Sequence, residues 1–327
     1  MLGEQGRFPE EHLVLKNAMT RDPLNELLIV NYASNLSIRG EWASGKALMK
    51  DLLELYPDSS MLLRSLAKMA LMNGDLVEGW KLAYRAYQLE PDNPEEISTL
   101  ARTWVMLGNT DEAERLILKG LESSGQNSNL LGAYWMTLMV AQRYEEAESL
   151  VRDLKQQMGA GIPASLERNF NFQLGLITLL RRDFHEARLL LMAAIDDGDQ
   201  ALYSGDDITA LMLASLASAK LGDDEEAQGL LASAERRIQR GRLNGVDDSG
   251  IYYSEAVLLA MRSEPARALQ KLEEAYEHGF REHWVMDIDG RLGSLRDQPA
   301  FISLTERIQD DLERARVEIE SLSLAGF

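Results

Sequence analysis

An all-α solenoid of about seven stacked helix pairs, closed by a C-terminal helical tail, is the fold class that the 327-residue sequence predicts. Three observations carry it. Gly6, Gly40, Gly74 and Gly108 fall 34 residues apart, and Pro23, Pro57 and Pro91 keep the same interval. A fixed period with both a turn signal and a stop signal marks an array of helix–turn–helix units. A row of small residues, Gly45, Gly79, Ala113, Ala147, Ala187, Ala227 and Ala268, runs beside a second row, Ala33, Ala67, Ala101, Trp135, Gly175, Ser215 and Ala256. Small side chains at such positions let paired helices cross closely.

In chain order, the array opens in mid-unit. Gly6 holds the turn position, Ala18 and Pro23 follow in register, and only five residues precede Gly6. Two readings follow: a piece of a longer protein that begins inside a repeat, or a single capping helix over HLVLKNAM. Residues 1–22 are therefore a partial repeat or cap, and 23–160 a sub-array of period 34. The clearest unit is PEEISTLARTWVMLGNTDEAERLILKGLESSG. Ile97, Leu100, Ala101 and Trp104 share a helical face, Gly108 breaks the helix, and Asp111 is the expected cap of the next helix, through Ala113, Ile117 and Gly120. Trp135 replaces a small residue and should wedge the fourth unit open or push it off register. From Ala147 the spacing stretches to 40, 40 and 41, so residues 161–280 form a second sub-array with extra residues in its connections. The tail, 281–327, leaves the pattern. Its last helix, from about Phe301 to Leu322, should cap the array with Phe301, Leu304, Ile308 and Leu312 inward.

Composition narrows the function. The net charge of −19 argues against a direct nucleic-acid partner, which needs a basic surface, and against direct membrane contact. Cysteine is absent, which removes disulfides, thiolate metal sites and cysteine nucleophiles. The compartment stays open between cytoplasm and periplasm. MLGEQGRFPEEHL has no apolar core after a basic start, so no signal peptide is expected there. No apolar run reaches membrane-spanning length.

The rows of small residues and the period resemble the tetratricopeptide repeat (TPR) family over roughly residues 6 to 280. The resemblance implies antiparallel helix pairs in a right-handed superhelix with a concave binding surface. The tail is similar to the ending of many bacterial TPR regulators, through AYEHGF, Trp284, Leu295-Arg296-Asp297, Pro299 and Phe301. Such proteins often carry a winged-helix, cyclase or TolB-like module. DPLN followed by NYASNL and Gly40 is similar to their early repeats.

Some motifs look like chemistry and are better read as structure. Gly40 to Ala47 is one substitution from a phosphate-binding loop, but a helix should precede it and Ala47 has no hydroxyl. Asp287-Ile-Asp289-Gly290 lacks calcium-loop spacing and reads as a turn with a helix cap. Asp196, Asp197, Asp199, Asp206 and Asp207 read as a solvated acidic loop. His12, His185, His278 and His283 form no zinc-protease pair, and His278 suits a helix end. Glu145-Glu146 and Asp224-Glu225-Glu226 fall at helix starts, where carboxylates favour the dipole. No cofactor, metal site or catalytic constellation is expected, and the chain reads as a non-enzymatic binding scaffold.

The resemblance carries first-helix positions into the groove. They are Val30 and Ser34, Arg64 and Lys68, and Ser98 and Arg102. Met136, Met139, Phe172, Leu176, Met212, Leu216 and Tyr253 follow. The early groove suits an acidic or carboxylate-bearing protein or peptide segment. The later groove suits an apolar one. The opposing reading pairs Arg64, Lys68 and Arg102 with neighbouring acids and buries the apolar set in a tight superhelix. Chaperone-binding TPRs hold a carboxylate with a Lys and an Asn one turn apart. Val30 and Ser34 stand there instead, which counts against that role. A second expectation is a homo-oligomer formed through the first half-repeat or the last helix.

Overall fold

The structure, a computed structural model, describes residues 2–3, 6–195 and 204–324. Among these, all regular structure is helical. After α1 (Phe8–Met19) come seven pairs: α2 (Glu26–Ile38) with α3 (Trp42–Leu55), α4 (Ser60–Met72) with α5 (Leu76–Leu89), α6 (Pro94–Met106) with α7 (Thr110–Ser124), α8 (Ser128–Val140) with α9 (Tyr144–Met158), α10 (Ala164–Leu180) with α11 (Phe184–Ala194), α12 (Gly205–Lys220) with α13 (Asp224–Leu243), and α14 (Ser249–Met261) with α15 (Pro265–Glu277). The tail holds α16 (His283–Ile288), a 3₁₀ segment (Gly290–Leu295) and α17 (Pro299–Leu324). The second half is stretched within helices as well as between them, α13 being 20 residues long.

The two rows of small residues meet across each pair. A Cβ on Gly45 would lie 2.9 Å from the Ala33 carbonyl oxygen. Ser215 Oγ donates to the Ala227 carbonyl at 2.9 Å. Helices whose backbones come this close have no room for larger side chains. The exception is Trp135. Its ring packs between two small clusters, one around Leu138, Met139 and Ile177 and one around Val151, Phe170 and Leu174. α8 and α9 are the least closely packed of the seven pairs, as a wedge at this position requires.

A third row was not anticipated. Asn25, Ser59, Asn93 and Asn127, again 34 apart, each cap a first helix with a side-chain oxygen on a backbone N–H of its first turn. They satisfy donors that the helix leaves unpaired. Asp111 is not a cap: Asn109 takes that role, accepting from Glu112 N at 3.1 Å, and Asp111 lies in the first turn.

Within each pair the turn residue has a left-handed backbone. Gly40, Gly74 and Gly108 have φ of 74° to 78° and Gly222 has 83°, and Gly6, ahead of α1, has 67°. In the other late pairs the position falls to Gln142 (57°), Arg182 (65°) and Ser263 (62°).

The late half comes back over the turns of the early pairs. Asp247 N donates to the Ile38 carbonyl at 2.8 Å beside Gly40. A Cβ on Gly74 would lie 3.1 Å from Gly279 Cα, and one on Gly279 only 2.3 Å from the Asn73 carbonyl carbon. Arg316 Nη1 donates to the Leu107 carbonyl at 3.1 Å next to Gly108. α17 packs on α15 and α16 and also on α5, where Lys81 pairs with Glu318 at 3.5 Å. Its inward face is Phe301, Leu304, Ile308 and Leu312, as expected, extended by Ala315 and Ile319. One core cluster consequently includes Ala67, Trp80 and Leu100 from early pairs together with Leu213, Val257 and Ile319 from the late part.

Candidate concave binding surface

The repeat sets Ser34, Lys68, Arg102 and Met136 in one row, 34 residues apart, on the first helices α2, α4, α6 and α8. Arg64 sits one turn before Lys68. The three cations meet different surroundings. Arg64 Nη1 lies 2.6 Å from Glu96 Oε1 and 3.9 Å from Glu95. Lys68 is exposed and Arg102 half-buried, and among the described residues neither forms an ion pair. Arg102 instead reaches across to α8. Its Nη1 is 3.8 Å from Met136 Sδ, and Gly132 leaves space that a Cβ would narrow to 3.1 Å from Nη2. Burial alone lowers the Arg102 guanidinium below its ordinary range. Lys68 is lowered by burial first and then by Arg64 and Arg102, against a smaller pull from Glu95 and Glu96. These cations lack part of the stabilisation that a carboxylate would return.

Glu96 is the residue that sequence reasoning missed. It is wholly buried, and one carboxylate oxygen has no hydrogen-bond partner. Burial pushes its carboxyl up to about 6, with Arg64 pulling back. Of the three cations that the opposing reading pairs with acids, Arg64 alone is paired among the described residues; the pairing does not extend to Lys68 and Arg102. Val30 and Ser34 are half-buried, and Ser98 is buried.

The later positions need correction. Met139 and Met212 are core residues, 0% and 1% exposed. Tyr253 is buried and stacked on Phe280 at 4.6 Å, with its hydroxyl donating to Asp289 Oδ2 at 2.8 Å. For Met212 and Tyr253 the tail causes this, since it lies against α12 and α14 where an open groove was expected; Met139 is buried instead with Leu138, Ala147 and Ile177. Arg291 pairs with Asp289 at 2.7 Å, both buried, and Asp289 also accepts from Arg291 N. Burial pushes the Asp289 carboxyl up, yet Arg291 and the hydrogen bonds from Arg291 and Tyr253 hold it below the usual range. Asp289 does cap a turn, as its sequence suggests, but Arg291 gave no signal. Phe172, Leu176 and Leu216 stay half-buried and line a cavity of ≈ 580 Å³ between the late first helices and the tail.

The other motifs resolve into structure. Lys46 ties α3 to α5 through Asp75 at 2.8 Å and through Glu78. His278 caps α15 and stacks on Tyr252 at 4.2 Å. Asp196, Asp197 and Asp199 lie outside the described residues. Among the described residues no group of three His, Asp or Glu is placed to hold a metal ion, and no helix is long and apolar enough to cross a membrane.

Comparison with known proteins agrees with this architecture. The tetratricopeptide repeat family matches residues 70–134. No curated protein matches the chain. Among solved structures, the APC/C hetero-tetramer Cut9–Hcn1 is similar at 14% identity and a TM-score of 0.54, over 94% of this chain and 54% of that one. The chain thus spans about half the length of that relative. Human IFIT1, solved as a dimer with PPP-AAAA, is similar at 14% identity and a TM-score of 0.51, over 91% of this chain and 73% of that one. A tetratricopeptide repeat protein from Parabacteroides merdae ATCC 43184 aligns at 14% identity and a TM-score of 0.41, over 90% and 95%. At 14% identity the likeness to the first two is one of fold. The chain is an all-α solenoid of repeated helix pairs with a C-terminal capping helix, consistent with a TPR fold.

Proposed function

We propose that the concave surface of α4 and α6 holds an acidic, carboxylate-bearing segment of a protein partner, with Lys68 and Arg102 as its two contacts and Arg64 as a third cation behind them. The observation that carries this reading is that Lys68 and Arg102, in one row on α4 and α6, have no counter-ion among the described residues, in a chain of net charge −19. Exposed cations usually find acids in so acidic a protein; two crowded ones left open suit charge-assisted hydrogen bonds from outside. The similarity of the tail to the ending of bacterial TPR regulators supports the wider role of sensory or interaction region in a bacterial regulatory protein.

Titration with a glutamate-rich peptide, followed by fluorescence anisotropy, tests the site. Lys68→Glu with Arg102→Glu should abolish binding and leave the circular dichroism unchanged. Undiminished binding by that double variant removes the site.

A second reading, self-association through the first helices, rests on exposed apolar side chains there: Leu13 at 61%, Val14 at 56% and Leu27 at 58%. Sedimentation over a range of concentrations decides it. A strict monomer throughout rules it out, whereas a dimer lost on Leu13→Glu would support it.

A further inference from the structure

We propose that the cavity between α10, α12 and the tail binds a small organic amine with an apolar, ring-bearing body. At ≈ 580 Å³ it has the size of ordinary small-molecule sites, about 300–1,000 Å³. Trp135, Phe172, Leu216, Trp284 and Ile288 supply apolar walls, two of them indoles. Both indole N–H groups are buried without a hydrogen-bond acceptor.

The charged lining decides the class of ligand. Asp289 and Arg291 satisfy one another. Glu282 and Asp206 also line the cavity, and neither side chain has a hydrogen bond or ion pair among the described residues. Burial raises the Glu282 carboxyl and is the whole of the cause, so no nearby cation offsets it. Asp206, at the start of α12, is exposed like Arg182 and Lys220, so Glu282 is the carboxylate that counts. Arg182 and Lys220, which also line the cavity, are exposed and follow or end the helices α10 and α12. Lys220 stands about 21 Å along α12 from Asp206, at 1.5 Å per residue.

A cation in water needs no partner, whereas a carboxylate withdrawn from water does. The deficit inside the cavity is therefore positive charge. An ammonium group supplies it to Glu282 and gains further from aromatic faces, while an apolar ring fills the space beside Phe172 and Leu216. This site is separate from the concave patch of α4 and α6 and opposite in sign.

Calorimetric titration of the full chain with tryptamine tests the assignment, with indole-3-propionate, the same ring bearing a carboxylate, as the counterpart. Tryptamine should bind saturably at one site per chain and indole-3-propionate should not. Glu282→Gln should weaken tryptamine about tenfold or more, the scale of one charged hydrogen bond. Leu216→Trp should fill the cavity and abolish binding with an unchanged melting temperature; if either variant fails to fold, the other decides. Lys68→Glu should leave tryptamine binding intact, which keeps this test independent of the peptide site. Equal binding of the two indoles, no binding of tryptamine, or indifference to Glu282→Gln in the folded variant would each overturn the proposal.

Discussion

The turns of the early pairs and those of the late pairs perform the same backbone manoeuvre with different residues. Gly40, Gly74 and Gly108 and their late counterparts Gln142, Arg182, Gly222 and Ser263 all take positive φ. A left-handed residue with a side chain costs about 1–2 kcal/mol, which the late turns tolerate three times. What separates the groups is what lies above them. A Cβ on Gly40, Gly74 or Gly108 would press on Asp247, Gly279 or Arg316, whereas one on Gly222 would meet nothing within 4 Å. The early glycines are therefore held by a second layer of protein as much as by the turn.

Substitutions at this boundary should break the comparison most sharply. Gly279→Ala puts a Cβ 2.3 Å from the Asn73 backbone at a φ of +99°, and neither side can yield. A loss of about 5 kcal/mol, or failure to fold, is expected, measured by denaturant unfolding. Next in size is the charge that fastens the tail to the late helices. Arg291→Met leaves the Asp289 carboxylate buried with no cation, held only by the Tyr253 hydroxyl and the backbone N–H at position 291, and should cost about 3–5 kcal/mol.

The early half offers the contrasting buried acid. Glu96 has one partnered oxygen and a carboxyl raised to about 6. The folded state thus holds this proton more tightly than the unfolded chain does. The stabilisation is complete below about 4.5 and is lost as pH rises through about 6, a change of about 2 kcal/mol. Stability measured across that window should show it in the parent and not in Glu96→Gln.

The smallest effects belong to the late turns. Gly222→Ala should cost about 1 kcal/mol, the backbone strain alone. Ser263→Gly should stabilise by about 0.5 kcal/mol, relief of strain being partly offset by the freer unfolded chain. If Gly222→Ala proved as damaging as Gly74→Ala, the overlying layer would not be what distinguishes the two groups.

The same division governs what could be read from sequence. Contacts within a pair repeat with the period, so the crossing rows, the turns and the inward face of α17 were legible. The cap row Asn25, Ser59, Asn93 and Asn127 keeps the same period but was missed, because a mixture of Asn and Ser conceals its regularity. Contacts between distant parts left no periodic trace. Nothing marks Arg316 as a partner of the Leu107 carbonyl, or Asp247 as one of Ile38. Lys68 and Arg102 followed from register, whereas Glu96 beside Arg64 depends on how neighbouring helices lean. Met212 and Tyr253 were misjudged because the tail covers part of the late concave surface, and Met139 because it packs with Leu138, Ala147 and Ile177 in the core.

The return of the chain onto its own first pairs also bears on how the protein comes apart. An open repeat array unfolds by fraying, since each unit answers only to its neighbours. Here Asp247, Gly279 and Arg316 bind late segments to early ones, so loosening the last helices also uncovers the turns of the first. Hydrogen exchange should then show Leu63 in α4 and Leu304 in α17 opening with one common free energy, as parts of a single cooperative unit.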